Sequence, residues 1–212
     1  PMSCPKIFPI MALLPALVAC ATLGGGDEDS SLEDTVAFPT VNVDAAALEG
    51  TASYTFGGRS QTTPWFHCEP KNSNGAGVLL AHSDAKGFVS GSFCKSWMAQ
   101  AFLAEGFSVI GWNRPGYGKA TGKRDLAGPQ SVEGAMAAIA GAKKKKSFTL
   151  TGAWGYSVGA TAVSHVARKA GSMKFVILGG GIYDFEETVA ESKSRILRNA
   201  IEALRKDQGD EA

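Results

Sequence analysis

The alternation of short apolar runs with helical segments from residue 77 onward most constrains how this chain can fold. Each apolar run has the composition of a strand buried on both faces, and each segment between them spaces its apolar residues as a helix does. Strands that alternate with helices are joined by right-handed crossovers into a parallel sheet. The sequence therefore predicts an α/β domain with a mostly parallel sheet and helices on both faces. The predicted strands are GVLLAHS, FSVIGWN, SFTLTGAW and KFVILGGG, and the predicted helices are FCKSWMAQAFLAEG, SVEGAMAAIAGA and VGATAVSHVARKAG.

Two further segments flank this region. Residues 35–70 contain the strand-like pieces TVAFPTVNV and TASYTF, which we interpret as antiparallel strands that precede the parallel ones. After the fourth apolar run, FEETVAESKSRILRNAIEALRKD has the charged amphipathic pattern of a helix. A chain of 212 residues that is 44% hydrophobic can bury one sizeable core. We therefore assign residues 35–212 to one domain.

The first part of the chain has the layout of an export signal. Lys6 precedes an apolar stretch at residues 7–19, and Cys20 begins a polar segment rich in glycine, aspartate and serine. The apolar stretch is short and contains two prolines, so it matches a secretory signal better than a membrane span. The segment LVAC, which ends at Cys20, resembles the lipobox of bacterial lipoproteins, and this resemblance implies that Cys20 is acylated.

These features predict a signal peptide at residues 1–19 and a flexible tether at residues 20–34. We expect an exported lipoprotein that its lipid anchors to a membrane, in the periplasm or at the cell surface. An ordinary signal peptide, and hence a secreted protein, is the alternative.

Cys68 and Cys94 are the two cysteines within the predicted domain. In an oxidising compartment they could form a disulfide, which would stabilise the fold by about 3.5 kcal/mol in the chain-entropy model. Two separate buried thiols are the alternative. The sequence has no C-x-x-C pair and no cluster of His and Cys, so we predict no metal site. A net charge of +1 gives no reason to expect nucleic acid as a partner.

The segment GYSVG at residues 155–159 lies where the third predicted strand meets the third predicted helix. A tight strand–turn–helix bend lifts a hydroxyl clear of the sheet, and glycines on both sides leave room for the bend. The helix N-terminus then offers a backbone N–H and a partial positive charge to the oxyanion that forms on attack. We predict that Ser157 is a nucleophile. A glycine-rich turn that holds an idle serine is the alternative.

Taken together, these segments resemble the α/β-hydrolase family over roughly residues 77–185, in order and in spacing. GVLLAHSDAKG is similar to the family's third strand and the loop after it, and GFSVIGWNRPGYGKATG to its fourth strand and the following turn. LTGAWGYSVGATA is similar to its nucleophile elbow, and FVILGGGIYD to its sixth strand. The resemblance implies an α/β-hydrolase fold, a reaction without a cofactor, and an oxyanion hole made by Val158 and by Asp84 or Ser83. Ser83 stands where the family usually has glycine.

In the α/β-hydrolase family the catalytic acid and histidine follow the serine, and here the sequence departs from the pattern. The three histidines are His67, His82 and His165, and none lies beyond the sixth strand. His165 is eight residues beyond Ser157 on one predicted helix, or about 12 Å at 1.5 Å per residue. A base must come within about 3 Å of the hydroxyl. Asp184, just after the sixth strand, is a candidate for the acid.

We therefore expect the catalytic histidine to be absent from this sequence and the domain to be incomplete after the sixth strand and the following helix. The predicted function is a serine hydrolase that attacks an ester or related acyl bond of a small molecule through an acyl-serine intermediate, with little activity in this chain itself. A membrane-anchored binding or scaffold protein, a native pseudo-hydrolase, is the alternative. A peptidase, acyltransferase or haloperoxidase on the same fold is a further one.

Overall fold

The computed structural model describes residues 41–83 and 86–184, together with Glu187 and Glu191. In these residues the strands are β1 (Ala45–Phe56), β2 (Arg59–Pro70), β3 (Ala76–Ala81), β4 (Ser108–Trp112), β5 (Thr149–Tyr156) and β6 (Phe175–Gly179). The helices are α1 (Trp97–Ala104), α2 (Pro129–Lys145) and α3 (Val158–Ala170), and a 3₁₀ turn at Phe93–Lys95 precedes α1. From β3 onward, strands and helices alternate along the chain.

The six strands form one sheet in the order β1-β2-β4-β3-β5-β6. β4, β3, β5 and β6 are parallel, whereas β2 is antiparallel to both β1 and β4. The four parallel strands are those that the apolar runs predict. The predicted α/β class, with a mostly parallel sheet and helices on both faces, is confirmed.

Two hydrophobic cores lie on opposite faces of this sheet, because alternate side chains of a strand point to opposite faces. In β2, Trp65 belongs to the core under α2 and α3, whereas Phe66 belongs to the core under α1. β3 and β4 contribute to both cores, and Leu79 and Ile110 lie on the side opposite Val78 and Val109. Burial on both faces explains why these strands read as continuous apolar runs.

The amino-terminal strands differ in part from the prediction. TASYTF forms the second half of β1, but residues 41–43 of TVAFPTVNV precede the strand, and residues 35–40 lie outside the described part. The side chain of Gln100 in α1 accepts a hydrogen bond from the Val43 N–H (2.5 Å) and donates one to the Val43 carbonyl (3.2 Å). This amide satisfies both backbone groups of Val43, so that residue needs no strand partner.

The predicted signal peptide (residues 1–19), the tether (residues 20–34) and Cys20 lie outside the described residues. So does the predicted last helix, apart from Glu187 and Glu191, which are helical. Among the helices of the described part, none has both the length and the apolar character that a membrane crossing needs. The same part of the chain holds no group of three His, Cys, Asp or Glu residues that could bind a metal ion.

A disulfide joins Cys68 of β2 to Cys94 of the 3₁₀ turn, and their Cα atoms are 5.6 Å apart. The sequence leaves open whether these cysteines form a disulfide or stay as two separate thiols, and in the structure they are bonded. Cys68 is fully buried in the core under α1. The bond therefore ties β2 to the connection between β3 and α1, and this connection begins beside the candidate site described next.

Candidate active site

Ser157 lies at the sharp turn between β5 and α3, in a backbone conformation that side chains rarely adopt (φ 55°, ψ −133°). Holding a residue other than glycine at such angles costs on the order of 1–3 kcal/mol, so the surrounding structure must impose it. The Ser157 N–H donates to the Gly179 carbonyl at the end of β6 (2.7 Å), and the Ser157 carbonyl accepts from the Ala160 N–H in α3 (2.8 Å). These two bonds fix the turn while the serine stays only half-buried.

The glycines on either side of Ser157 are required by close backbone contacts. A Cβ on Gly155 would lie 2.3 Å from the Gly159 carbonyl oxygen and 2.7 Å from the Ala160 nitrogen. A Cβ on Gly159 would lie 2.6 Å from the carbonyl oxygens of both Ala81 and His82, at the end of β3. The first turn of α3 therefore packs directly on β5 and on the end of β3. This packing brings the connection after β3 beside the serine.

α3 begins directly after Ser157, and the first N–H groups of a helix have no acceptor within the helix. Val158 supplies the first of these groups, and it is the backbone donor that the sequence predicts for an oxyanion. The aligned peptide dipoles also give this end of α3 a partial positive charge. The turn therefore favours negative charge on the Ser157 oxygen or on a group bound to it.

The connection after β3 is held by Arg114, which lies two residues after β4. The Ser83 carbonyl accepts hydrogen bonds from Nη2 of Arg114 (3.0 Å) and from Nδ1 of His82 (2.6 Å). Arg114 is only 1% exposed, so its guanidinium acts on Ser83 from within the protein. Holding this carbonyl restrains the planar peptide that follows Ser83. Asp84, the other residue predicted to line the oxyanion hole, lies outside the described residues.

Asn113 holds the same connection farther along. Its Oδ1 accepts from the Phe88 N–H (2.6 Å), and its Nδ2 donates to the Phe88 carbonyl (3.0 Å). A Cβ on Gly87 would lie 2.7 Å from Oδ1 of Asn113, so the connection must pass close to this side chain. The buried amide of Asn113 pairs with Phe88 much as a neighbouring strand would.

Solved structures share the overall arrangement of these strands and helices. The chain matches the Pyrococcus furiosus esterase Pf2001 with a TM-score of 0.55 at 14% sequence identity, over 75% of this chain and 62% of that one. It matches a probable hydrolytic enzyme from Pseudomonas aeruginosa PAO1 with a TM-score of 0.52 at 18% identity, over 77% of this chain and 55% of that one. The chain has the α/β-hydrolase fold. No protein-family model matches its sequence, and neither does any curated protein.

The α/β-hydrolase fold places Ser157 at the carboxyl edge of the parallel strands, the edge where open α/β sheets bind ligands. The chain spans less than two thirds of the length of either matched protein. The sheet order, the Ser157 turn and the connection after β3 all fall within the described residues except for residues 84 and 85.

His82 lies at this same edge, but both of its ring nitrogens are engaged. Nε2 accepts a hydrogen bond from the Arg114 N–H (3.2 Å), so Nδ1 carries the proton that is donated to the Ser83 carbonyl. Burial, and secondly the charge of Arg114, lower the pKa of His82 to about 3. His82 thus has neither a free lone pair nor the basicity to take a proton from Ser157. It supports the connection after β3 instead.

The other two histidines lie too far from Ser157 to act as its base. His67 is in β2, three positions from β5 in the sheet, or about 14 Å at the usual strand spacing. His165 is exposed on α3, eight residues and about 12 Å along the helix from Ser157. None of the three histidines of the sequence is therefore placed to accept the proton of Ser157.

His67 is instead a buried ring in the core. It is 1% exposed and stacks on Phe148, with ring centroids 5.3 Å apart. Neither ring nitrogen has a hydrogen-bond partner among the described residues. Burial lowers the pKa of His67, while Glu69 acts in the opposite direction and Lys146 in the same direction. The folded protein therefore favours the neutral ring.

We expect the free energy of unfolding to fall as the pH drops below 6.5, the ordinary histidine pKa. Both His67 and His82 have lowered pKa values when folded, so the unfolded chain binds their protons first. Each histidine then costs about 1.4 kcal/mol per pH unit, and for His82 the loss continues to about pH 3. His67→Phe keeps the stacked ring and removes one titrating group. Urea unfolding at several pH values should give a shallower slope for this variant, and an unchanged slope would contradict the assignment.

Asp184, the candidate acid, has a structural partner. It is exposed after β6, and its Oδ1 accepts a hydrogen bond from the Glu187 N–H (2.9 Å). An aspartate followed three residues later by glutamate is typical of a helix start. The preceding segment is fixed to α3, because the Thr161 hydroxyl bonds both the N–H and the carbonyl of Ile182 (2.9 Å each). A catalytic role for Asp184 stays a prediction.

Two residues of the site, Asn113 and Arg114, were not singled out by sequence reasoning. They begin the segment NRPGYG, whose likeness to the turn of the hydrolase family was the available signal. A fully buried arginine is unusual in proteins, and burial would have marked Arg114 as important. The sequence of a polar turn does not show that Arg114 is buried. The hydrogen bond from Arg114 to the Ser83 carbonyl is therefore visible only in the structure.

Proposed function

We propose that the protein is a serine hydrolase in which Ser157 attacks an ester or related acyl bond of a small molecule. The observation that carries the proposal is the strained backbone of Ser157 at the start of α3. Residues held in such strained conformations cluster at active sites and ligand-binding sites. A serine held half-exposed at the positive end of a helix is suited to nucleophilic attack and to stabilising the resulting oxyanion.

The proposed reaction proceeds through a covalent intermediate. The Ser157 oxygen attacks the carbonyl carbon of the substrate, and the carbonyl oxygen becomes an oxyanion that accepts from the Val158 N–H. The peptide that follows Ser83 is the proposed source of the second donor, since Arg114 and His82 hold its carbonyl. Collapse of the intermediate breaks the bond to the alcohol oxygen, which leaves with the proton lost by the Ser157 hydroxyl. Water then hydrolyses the acyl-serine to a carboxylic acid and free Ser157. Neither step needs a cofactor.

The general base is the part of this mechanism that no histidine of the sequence supplies. None of its three histidines is placed to take the Ser157 proton, so we propose that acylation of this chain proceeds without a histidine base. Serine hydrolases that lack a triad member keep only the catalysis due to the oxyanion hole and binding. We therefore expect the chain itself to be acylated slowly.

The finding that no histidine is placed to act as the base also favours a second candidate function. A non-catalytic protein could use the same turn to bind an acyl or anionic group without cleaving it, since the Val158 N–H and the helix dipole act on any negative charge. The two candidates differ in whether the Ser157 oxygen forms a covalent bond.

Labelling with a fluorophosphonate separates these candidates. The Ser157 oxygen attacks phosphorus and fluoride leaves, so the product is a stable adduct that peptide mass spectrometry assigns to one residue. We expect slow labelling of Ser157, and an increase of about tenfold when free imidazole is added as an external base, since a positioned base contributes about 10²–10⁴-fold. Ser157→Ala should abolish the adduct.

Ser164→Ala is the matched control. Ser164 lies on the same helix and its hydroxyl donates to the Thr161 carbonyl within α3, so this variant should be labelled like the parent. An adduct that persists in Ser157→Ala would contradict the proposed nucleophile. No adduct at Ser157 under any condition would leave the binding function in place of the hydrolase.

We further propose that the protein is exported and anchored to a membrane through a lipid on Cys20. The support is in the sequence: Lys6, the apolar residues 7–19 and the segment LVAC before the polar tether. A secreted protein with an ordinary signal peptide is the alternative.

A further inference from the structure

We propose that the substrate of Ser157 carries an anionic group, a carboxylate or a phosphate, and that a cationic edge of the molecule binds it. The cationic edge consists of the exposed residues Lys86, Lys119, Lys123 and Arg124, and the buried Arg114 lies in the same connection as the last three. This inference rests on the proposed function, since it names the class of acyl substrate that the same site accepts. It adds a recognition element that lies outside the Ser157 turn.

The cationic edge lies next to the serine because of the strand order. Its members come from the connections that follow β3 and β4, and β3 lies between β4 and β5. Leu80 of β3 pairs with both Gly111 of β4 and Trp154 of β5, so the three strands end at nearly the same level. Two strand spacings, about 10 Å, therefore separate the end of β4 from the Ser157 turn.

Side-chain contacts support this placement. The ring of Tyr117, in the connection after β4, lies 4.8 Å from the ring of His82. Arg114 and Arg124 lie over the Tyr117 ring, at 4.9 Å and 4.5 Å from its centroid. The His82 carbonyl in turn lies against Gly159 in the first turn of α3. A continuous series of contacts thus links the arginines to the helix that carries the nucleophile.

The charge at this edge is predominantly positive. The segments that follow β3 and β4, HSDAKG and NRPGYGKATGKRDLAG, together carry five cationic residues and two carboxylates, Asp84 and Asp125. Asp125 is engaged at the start of α2, where it accepts from the N–H (2.8 Å) and the hydroxyl (2.5 Å) of Ser131. Lys86 and Lys119 are exposed and form no ion pair with any described residue. Positive potential therefore remains available to a ligand.

Arg114 is the cation that lies nearest to the residues beside Ser157. The charge of Arg114 is one of the causes that lower the pKa of His82, which contacts both Ser83 and α3. The helix N-terminus at Ser157 adds its partial positive charge to the same region. A cleft lined by one sign of charge concentrates ligands of the opposite sign. An acyl substrate whose anionic group lies several atoms from the scissile bond would place that group at the cationic edge.

The test uses a thiol introduced by Ser157→Cys and two alkylating reagents of nearly equal size. Iodoacetate is anionic and iodoacetamide is neutral, and with both reagents the thiolate sulfur bonds to carbon while iodide leaves. The same pair is applied to Ser172→Cys, an exposed position just beyond the carboxyl end of α3. Peptide mass spectrometry measures alkylation at each introduced thiol separately from the native cysteines.

We expect the ratio of the iodoacetate rate to the iodoacetamide rate to be about tenfold higher at position 157 than at position 172 in low salt. The preference should fall as salt rises beyond 0.1 M, where the Debye length is about 10 Å. The double variant Lys86→Gln/Lys119→Gln should lower the ratio at position 157 by about threefold. A fall in this ratio would be due to the two lysines and not to the helix dipole, because the double variant leaves the dipole unchanged.

The matched control is Lys144→Gln/Lys145→Gln, which removes two exposed lysines at the carboxyl end of α2. It should leave the ratio at position 157 unchanged. Equal ratios at positions 157 and 172, or a ratio insensitive to Lys86 and Lys119, would overturn the inference while fluorophosphonate labelling of Ser157 could still support the hydrolase. Loss of that labelling with the iodoacetate preference retained would overturn the hydrolase and leave an anion-binding edge.

Discussion

Gly155→Ala is expected to destabilise the folded protein by about 3 kcal/mol, because the added methyl group would overlap the backbone of α3. The new Cβ would lie 2.3 Å from the Gly159 carbonyl oxygen and 2.5 Å from its carbonyl carbon. Neither atom belongs to a flexible side chain that could move away, so β5 and α3 must separate. Urea unfolding followed by circular dichroism measures the loss. If a folded fraction of the variant remains, its fluorophosphonate labelling of Ser157 should also fall, since the turn would open.

Gly134→Ala is the matched control for this prediction. Gly134 lies in α2, and a Cβ there would make only ordinary contacts, the nearest with the Tyr54 hydroxyl at 3.4 Å. Alanine is favoured over glycine in a helix by about 0.5–1 kcal/mol, so this variant should be slightly more stable than the parent. Equal stabilities of Gly155→Ala and the parent would mean that β5 and α3 are not packed as described.

Removing the disulfide should cost about 3.5 kcal/mol, the loop-closure entropy for two residues that are 26 apart in the sequence. The double variant Cys68→Ala/Cys94→Ala avoids placing a new polar group at Cys68, which is fully buried. Denaturant unfolding should show the loss in the variant. It should also show the loss in the parent after treatment with dithiothreitol.

The reductant supplies the control for the disulfide prediction. Dithiothreitol should leave the stability of the double variant unchanged, because that variant has no bond between positions 68 and 94 to reduce. A parent protein whose stability does not respond to the reductant, together with a double variant as stable as the parent, would contradict a stabilising disulfide.

The four parallel strands could be predicted from the sequence to within about two residues. β3 and β4 are buried on both faces, and such strands read as apolar runs with clear ends. β1 and β2 were harder, because each spans 12 residues and β1 leaves most of one face exposed. The start of β1 depends on Gln100, which lies 57 residues beyond Val43, and no local pattern contains that contact.

The candidate site, too, could be predicted from the sequence only in part. The turn at Ser157 follows from two glycines close to it in the sequence, so local reasoning reaches it. The support from Arg114 to Ser83 spans 31 residues and depends on the pairing of β3 with β4. The bond between Cys68 and Cys94 likewise depends on where the 3₁₀ turn lies against β2, which is why spacing alone left two states open.

The hydrogen bond from the Ser157 amide to the Gly179 carbonyl makes the position of Ser157 depend on the sheet. Its acceptor is the last residue of β6, so any slippage or peeling of that strand withdraws the support of the turn. If Ser157 is the nucleophile, we expect its reactivity to be lost before the rest of the sheet unfolds. A ligand, a partner or a further length of polypeptide that braces β6 would raise that reactivity from a distance, without touching the serine.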